Sequence, residues 1–231
     1  NITEKCCLLE VHAVNDLRKV KANIKVVVFD FDGVLYDGDH SVRLADELGF
    51  GDAARELYGA MMRGEVDFEE GLRRGAELWR GVHVEVVKKA MIQLELRPGV
   101  DEVFSALRSL GYKTVLVSCG GSNIGFLPLK RRLGINYVYS NPMESRKGVL
   151  TGRIAGSPMT PQRKAEVLAM IAEREKVTPA ECVAVGNDIL DVPMFKLAGL
   201  TVGINPSPEA QKHVMFSINS SNIKDILKYL T

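Results

Sequence analysis

Stretches of consecutive apolar residues alternate with amphipathic stretches along most of this chain. The β-branched run VVVF at Val26–Phe29 predicts a strand, and Thr160 followed by Pro161 predicts the N-cap and first position of a helix. From Pro98 onward, predicted strands alternate with predicted helices, which indicates an α/β fold with a parallel, doubly wound sheet. The later strands are predicted at residues 113–117, 137–140, 148–154 (one arm of a hairpin), 182–185 and 200–204, and the helices at 100–110, up to 133, 161–175, 192–198 and 223–230.

Two long stretches lack strand character. Residues 1–24 carry apolar residues among charges at helical spacing, which predicts a surface helix that extends the N-terminus. Residues 37–96 are almost wholly helical in pattern, with punctuating glycines and no β-branched run, which predicts a helical insertion. Turn-forming residues at 37–38 and 97–99 mark its hinges. The predicted domains are an N-terminal extension (1–24), a core (25–36 and 97–231) and the insertion (37–96).

The composition favours small-molecule chemistry over nucleic-acid or membrane binding. The chain has 231 residues, 46% of them hydrophobic, which can build one α/β domain with an insertion. Its net charge is +1 with 26% charged residues, so it has no basic field for nucleic acid. No apolar run approaches the roughly 20 residues that span a bilayer, and the N-terminal segment lacks the order of a signal peptide. We therefore expect a cytoplasmic protein, with a monomer and a homodimer both open.

The cysteines do not predict disulfides or a metal knuckle. Cys6, Cys7, Cys119 and Cys182 are too few and too irregularly spaced, so reduced thiols are expected. Cys119 follows a predicted strand and precedes two glycines, which raises the alternative of a thiol phosphatase. The position six residues further on is Gly125, where such loops use Arg. The sequence therefore disfavours thiolate catalysis.

Two carboxylates follow the first predicted strand, within the sequence VVVFDFDGVLYD at residues 26–37. Residues i and i+2 of an extended strand point to the same face, so Asp30 and Asp32 are expected to project together. Ligands of open parallel sheets bind at the carboxyl ends of the strands. A solvated turn is the alternative for this acid pair, and the rest of the chain must decide between them.

Three further groups of polar residues lie at or after predicted strand ends. Ser118 and Cys119 begin a loop whose hydroxyl and free backbone amides can hold phosphate oxygens. Lys164 lies in the first turn of its helix, where a cation opposes the helix dipole, so it needs another reason to be there; an exposed lysine is the alternative. The loop after the strand at 182–185 supplies oxygen ligands suited to a hard cation, namely Asn187, Asp188 and Asp191. For Asp191, an N-cap of the following helix is the alternative role.

Together, these sites resemble in order and spacing the motifs of the haloacid dehalogenase (HAD) superfamily of phosphotransferases. Within that superfamily, the chain is similar to the phosphoserine phosphatase branch. The similarity extends from residue 26 to the C-terminus and includes LTGRIAG at 150–156, QRKAEVL at 162–168, VAVGND at 183–188 and MFKLAGL at 194–200. The resemblance implies a Rossmann-like core, a helical cap of the C1 type inserted after the first strand, and a phosphatase that requires Mg²⁺ and acts on a small phosphate monoester.

The resemblance also implies a role for each site residue. Asp30 is expected to be the nucleophile that forms an aspartyl-phosphate, and Asp32 to protonate the leaving alcohol and then to activate water. Ser118, with Cys119 beside it, and Lys164 are expected to bind the phosphoryl oxygens. At about 3.5 Å and an effective dielectric of 20, each like-charge pair between carboxylate and phosphate costs roughly 4–5 kcal/mol, which Mg²⁺ offsets. The implied metal-binding residues are Asp30, Asp32 through its backbone carbonyl, Asn187, Asp188 and Asp191.

The metal-binding loop departs from the family pattern. The family has Gly-Asp where this chain has Gly186 and Asn187, and the neutral amide oxygen gives less charge compensation. We expect a weaker magnesium site, or a small loop shift that lets the neighbouring Asp188 take over. An Asn of the same loop aligns with Leu190, so an apolar group stands where the family has a hydrogen-bonding one.

The predicted cap departs from the family at its substrate-binding positions. Phosphoserine phosphatases carry an Arg seven residues after the position of Phe68, and this chain has Gly75 there. At about 100° per residue, Arg74 and Arg73 project roughly 100° and 200° away from position 75, so neither replaces that Arg without a register shift. Asp39 aligns with the cap-opening Glu and is one methylene shorter. We therefore expect a bulkier, less anionic phosphate monoester than phosphoserine as the substrate.

Two other functions stay open at the level of the sequence. A phosphotransferase passes the phosphoryl group from the same aspartyl-phosphate to an alcohol acceptor. A catalytically weakened member that binds a phosphate ligand in a regulatory role is favoured by the departures just described. It is disfavoured because the acid pair, the serine and the lysine of the motifs are all present.

Overall fold

A six-stranded parallel sheet forms the centre of the protein. The structure is a computed structural model and describes residues 24–230. The strands are β1 (Val26–Phe29), β2 (Lys113–Ser122), β3 (Tyr137–Asn141), β4 (Met143–Arg146), β5 (Val149–Ile154), β6 (Cys182–Gly186), β7 (Leu200–Ile204) and β8 (Phe216–Ile218). The sheet has the order β3-β2-β1-β6-β7-β8 with every neighbouring pair parallel, and β4 and β5 form a separate antiparallel hairpin. This arrangement confirms the predicted α/β fold class.

The α-helices are distributed along the whole described chain. In chain order, they are α1 (His40–Leu48), α2 (Gly51–Met62), α3 (Phe68–Leu78), α4 (Val84–Gln93), α5 (Val100–Ser109), α6 (Asn123–Leu133), α7 (Pro161–Arg174), α8 (Val192–Phe195), α9 (Pro208–Gln211) and α10 (Leu227–Leu230). None of the helices within residues 24–230 combines the length and the apolar character needed to cross a membrane.

Alternate residues of β1 belong to opposite layers of the core. Val27 and Phe29 lie in one buried cluster with residues of α5 and α6. Val26 and Val28 lie in a second buried cluster with residues of α7. Because successive side chains of a strand point to opposite faces, a wholly apolar strand is stable only when both faces are covered. The sheet is therefore sandwiched between helices, and its strand ends stay free to carry polar residues.

Helices α1 to α4, which we call the helical insertion (residues 40–93), lie between β1 and α5 in the chain. They share a third, smaller buried cluster with the β4–β5 hairpin, which includes Leu44, Ala76, Met143 and Leu150. The stretch with a helical sequence pattern thus consists of four separate helices. The domain boundaries drawn from the sequence stay a prediction, and the predicted N-terminal helix lies outside the described residues except for the buried Ile24.

The structure differs from the sequence prediction at several elements. Strand β2 continues to Ser122, five residues beyond its predicted end, and Ser122 pairs with Asn141 of β3 after a register shift. Glycines at 120 and 121 have low strand propensity, so this extension depends on a long-range pairing that a local pattern does not contain. The short edge strand β8 was not predicted. The predicted helix at 192–198 ends at Phe195, and the predicted C-terminal helix is a 3-10 turn followed by α10.

Candidate active site

The strands β2, β1 and β6 end side by side. They are neighbours in the sheet and run in the same direction, so their carboxyl ends lie at the same edge. A cavity of about 530 Å³ lies at this edge. It is lined by most of the residues predicted from the sequence, namely Asp30, Asp32, Asp39, Phe68, Gly75, Ser118, Cys119, Lys164, Asn187 and Asp188. Two predicted residues do not line it, Arg74 and Asp191.

A buried lysine bridges two carboxylates at this cavity. Lys164 Nζ lies 2.9 Å from Asp30 Oδ1 and 2.7 Å from Asp191 Oδ1. Burial lowers the pKa of Lys164, but the two carboxylates outweigh burial and raise it well above its ordinary value, so the lysine is charged. Burial and the charge of Asp191 raise the pKa of Asp30 well above its ordinary value, although Lys164 opposes them. A further cation beside Asp30 would favour its ionised form.

The position of Lys164 follows from the start of helix α7. Thr160 is the N-cap, and its Oγ1 accepts a hydrogen bond from the backbone N–H of Arg163 at 3.2 Å. Pro161 occupies the first turn, so the helix starts where the sequence predicts. Lys164 then falls in the first turn with 1% of its surface exposed, which excludes the alternative of an exposed lysine. Its two ion pairs supply the reason for a cation at a helix N-terminus.

Asp191 anchors the loop that follows β6. Its Oδ2 accepts hydrogen bonds from the backbone N–H groups of Asn187 at 2.8 Å and Asp188 at 3.3 Å. Asp188 Oδ1 accepts from the N–H of Leu190 at 2.8 Å and caps the 3-10 turn Ile189–Asp191. Asp191 stands at the N-cap of α8 but makes no side-chain cap bond. Both of its oxygens have donors, so the geometry supports an anchoring role, and its contact with a metal stays a prediction.

The side chain of Asn187 carries an unpartnered oxygen at the cavity. Its Oδ1 is buried and has no hydrogen-bond partner within residues 24–230. The side chain is held close to Gly33, where an added Cβ would lie 2.1 Å from Asn187 Nδ2. A buried oxygen without a donor suits a cation, and Mg²⁺ takes oxygen ligands. Together with the carboxylates of Asp30 and Asp188, this donor set fits Mg²⁺.

A second group of candidate ligand atoms lies at the start of the helical insertion. Atoms of Asp32, Asp39 and His40 lie within 4.8 Å of one another. However, His40 Nδ1 lies at hydrogen-bond distance from both carboxylate oxygens of Asp32, at 2.8 and 2.9 Å. Asp39 Oδ1 accepts a hydrogen bond from the N–H of Val42 at 2.9 Å as the N-cap of α1, and burial raises the pKa of Asp39. These polar groups already satisfy one another, so the Asn187 side of the cavity suits a metal better.

His40 is a site residue that the sequence analysis missed. Its side chain is 4% exposed and contacts the predicted acid/base Asp32. Burial lowers the pKa of His40, but the Asp32 carboxylate raises it by more, so the net direction is upward. The sequence signal was weak, because a lone His directly after an N-cap residue belongs to no motif.

Residues 118–122, at the carboxyl end of β2, turn back on themselves at the cavity. Because the sequence predicts that they bind phosphate, we call them the phosphate-binding loop. Ser118 Oγ accepts a hydrogen bond from the N–H of Gly120 and donates one to its carbonyl, both at 3.1 Å. Asn141, also missed from the sequence, donates from Nδ2 to the carbonyl of Cys119 at 2.7 Å and accepts from the N–H of Met159 at 2.9 Å. Burial raises the pKa of the Cys119 thiol to about 12, so it is protonated near neutral pH. This agrees with the expectation that the thiol is not the nucleophile.

Apolar side chains of the helical insertion line the rest of the cavity: Leu57, Tyr58, Met61, Phe68, Leu72 and Trp79. An added Cβ at Gly75 would meet only Leu57 Cδ2 within 4 Å, at 3.7 Å. Arg73 donates to Glu69 and to the carbonyl of Gly156, and Arg74 donates to Glu70. Neither arginine lines the cavity.

Comparisons with known proteins agree with this architecture. Residues 24–199 match the family model of the haloacid dehalogenase-like hydrolases. The chain is 31% identical over 206 residues to a phosphoserine phosphatase of Methanocaldococcus jannaschii, covering 89% of this chain and 97% of that protein. It is 34% identical over 206 residues to a phosphoserine phosphatase of Archaeoglobus fulgidus, covering 89% of this chain and 60% of that protein.

A solved structure shares the fold over almost its entire length. It is a phospho-aspartyl intermediate analogue of a phosphoserine phosphatase, with a TM-score of 0.78 and 30% identity over 90% of this chain and 99% of that one. The resemblance seen in the sequence motifs is thereby confirmed, together with the assignment as a phosphatase. This chain belongs to the haloacid dehalogenase-like hydrolases.

Proposed function

We propose that this protein is a magnesium-dependent phosphomonoester hydrolase that forms an aspartyl-phosphate on Asp30. The main support is the buried contact of Asp30 with Lys164 at the strand edge, with Asp32 lining the same cavity. A phosphate placed between them has a nucleophile, a charge partner and an acid within one small space. The similar proteins of M. jannaschii and A. fulgidus are named as phosphatases.

In the proposed first step, an Asp30 carboxylate oxygen attacks phosphorus, and the bond from phosphorus to the alcohol oxygen breaks. Asp32 gives its proton to the departing oxygen. In the second step, Asp32 takes a proton from water, the water oxygen attacks phosphorus, and the bond to Asp30 breaks to release phosphate. Two displacements replace one difficult step. Water and an added alcohol compete for the second step, so product analysis with alcohols tests the phosphotransferase alternative.

The phosphoryl oxygens are held by groups that carry or donate positive charge. Lys164 and the hydroxyl and amides of the loop at Ser118 are the donors we propose. Mg²⁺ would be held by Asp30, the carbonyl of Asp32 and an oxygen of Asn187 or Asp188. When bound, it offsets the repulsion between the attacking carboxylate and the phosphate dianion, roughly 4–5 kcal/mol per charge pair.

The direct test is hydrolysis of 4-nitrophenyl phosphate with and without a chelator. We expect chelator-sensitive release of phosphate, loss of activity in Asp30→Asn, and retention in the control Asp52→Asn, since Asp52 is on the surface and paired with Arg55. Acid quenching during turnover should trap a phosphorylated protein in the wild type but not in Asp30→Asn. Wild-type hydrolysis without a trapped phosphoprotein, or undiminished by Asp30→Asn, would contradict the aspartyl-phosphate route.

The identity of the leaving group has two candidates. The names of the relatives favour phosphoserine. The apolar lining of the cavity and the engagement of Arg73 and Arg74 elsewhere favour a larger monoester with less charge. We propose the larger monoester, because no cation of the helical insertion within residues 40–93 lines the cavity to hold the carboxylate of phosphoserine. Arg97 does line the cavity, but it is already paired with Asp37. Values of kcat/KM for phosphoserine and for phenyl and naphthyl phosphates decide between them, and the highest value for phosphoserine would refute the larger ester.

A further inference from the structure

The carboxylate of Asp32 receives two donors from a single residue. The backbone N–H of His40 donates to Asp32 Oδ1 at 2.8 Å. The ring Nδ1 of the same residue lies 2.8 Å from Oδ1 and 2.9 Å from Oδ2. A carboxylate held from two directions has lost the freedom to rotate about its Cβ–Cγ bond. One residue of the helical insertion therefore sets the plane of the acid/base group of the core.

The ring of His40 is itself held in place. It is 4% exposed and packs edge-on against Phe31, with ring centres 4.9 Å apart and planes at 89°. Phe126 contacts it with ring centres 5.2 Å apart. On the side of the phosphate-binding loop, an added Cβ at Gly121 would lie 2.3 Å from His40 Nε2. A ring in such close contact keeps Nδ1 directed at Asp32.

The same arrangement directs the second oxygen of Asp32 towards the phosphate-binding loop. An added Cβ at Gly120 would lie 3.1 Å from Asp32 Oδ2, so this oxygen stands beside the loop that follows Ser118. Both oxygens lie at hydrogen-bond distance from His40 Nδ1, but Oδ1 also accepts the backbone N–H of His40, which leaves Oδ2 better placed to serve a leaving oxygen. General acid catalysis requires hydrogen-bond contact between the acid and that oxygen.

We propose that His40 is a positioning residue, whose ring holds Asp32 in the orientation that protonates the leaving group. This inference rests on the proposed function, because it explains what orients Asp32 in that mechanism. Without the ring, the backbone N–H alone holds the carboxylate, and Asp32 samples orientations that do not reach the leaving oxygen. The loss then falls on substrates that need protonation.

Leaving groups of different basicity separate positioning from packing. An alkyl phosphate such as glycerol 2-phosphate departs as a strongly basic alkoxide and needs the acid, whereas 2,4-dinitrophenyl phosphate departs unaided. The ratio kcat/KM reports the steps up to the first phosphoryl transfer, so the later role of Asp32 does not enter. We expect His40→Phe to lower kcat/KM for the alkyl ester by about 10- to 100-fold and for the dinitrophenyl ester by less than about threefold.

Matched variants keep this test decisive if the larger ring disturbs folding. His40→Asn retains a donor near the place of Nδ1 and should recover most of the activity on the alkyl ester. Leu107→Ala removes packing from the buried core at α5, and it should lower Tm while keeping the ratio between the two esters. In an Asp32→Asn background, His40→Phe should cause no further loss on the alkyl ester.

Two outcomes would overturn the inference. If His40→Phe and His40→Asn lowered kcat/KM equally for both esters, His40 would act through packing alone. The same would follow if the loss of kcat/KM in His40→Phe added fully to the loss in Asp32→Asn. Wild-type protein that hydrolyses neither ester would overturn the proposed function itself. Wild-type hydrolysis with unchanged ester ratios in the His40 variants would overturn only the positioning role.

Discussion

Removal of the buried lysine should destabilise the protein in a manner that depends on pH. Lys164 is 1% exposed and is the partner of two buried carboxylates, Asp30 at 2.9 Å and Asp191 at 2.7 Å. Lys164→Met keeps most of the unbranched side chain, shortened by one atom, but removes the charge. Removing one partner of a buried pair costs about 3–5 kcal/mol, because the remaining charge is left without compensation. For a chain of 231 residues, this corresponds to a fall in Tm of about 6–20 °C.

The sign of the pH effect follows from the pKa of Asp30. Burial and Asp191 raise that pKa above the value of the unfolded chain, and Lys164 opposes them, so the variant raises it further. A carboxyl group whose folded pKa lies above its unfolded pKa makes the fold lose stability as pH rises between the two values. The difference in Tm between wild type and variant should therefore be small near pH 4, the unfolded value, and larger towards neutral pH.

Thermal unfolding followed by circular dichroism from pH 4 to pH 8, in the presence of chelator, measures this difference. The double variant Lys164→Met, Asp191→Asn removes one of the two like charges and should regain part of the stability lost at neutral pH. A deficit in Tm that is constant across the pH range would refute the electrostatic explanation. It would indicate that Lys164→Met acts through packing alone.

Three further predictions concern the glycines and the amide at the cavity. Asn187→Asp should lower the Mg²⁺ concentration for half-maximal activity, because a charged oxygen replaces a neutral one, and an unchanged magnesium titration would contradict this. Gly33→Ala should lower Tm and raise the magnesium requirement, because its Cβ would lie 2.1 Å from Asn187 Nδ2 at a φ of 72°. The control Gly64→Ala has the same φ of 72° with no atom within 4 Å, so it should show only backbone strain and an unchanged magnesium titration. Gly75→Arg should raise kcat/KM for phosphoserine relative to phenyl phosphate, whereas Gly75→Ala should leave the ratio unchanged.

The sheet could be predicted from the sequence because its signal is local. The strands β1, β6 and β7 are continuous runs of mostly apolar residues, and their predicted bounds agree with the structure to within one residue. The start of α7 could be predicted for the same reason, since the neighbouring residues Thr160 and Pro161 determine it. Parallel strand ends then bring Asp30, Ser118 and Asn187 to one edge without any knowledge of side-chain positions.

The contacts that orient the site could not be predicted in the same way. Asn141 lies 22 residues from Cys119, and their hydrogen bond exists only after β2 and β3 pair with a register shift. His40 lies eight residues from Asp32, across a turn that no helical or strand period describes. Motifs report which groups take part in the chemistry. The residues that hold those groups are determined by the packing of distant segments, which a single sequence does not display.

The cavity carries more negative than positive charge, and the Asn at position 187, where the family has Asp, reduces that excess. Among the described residues, five carboxylates line the cavity and that of Asp191 lies beside it. The cations in contact with these acids are Lys164, Arg97, which is paired with Asp37, and, when protonated, His40. Burial together with neighbouring carboxylates raises the pKa of three of the acids, namely Asp30, Asp39 and Asp188. Exchanging a carboxylate for the amide of Asn187 removes one source of that repulsion while keeping an oxygen directed at the cavity. If the proposed magnesium site is correct, the cation is held there with less charge from the protein, and we expect the remaining carboxylates to carry more of its binding.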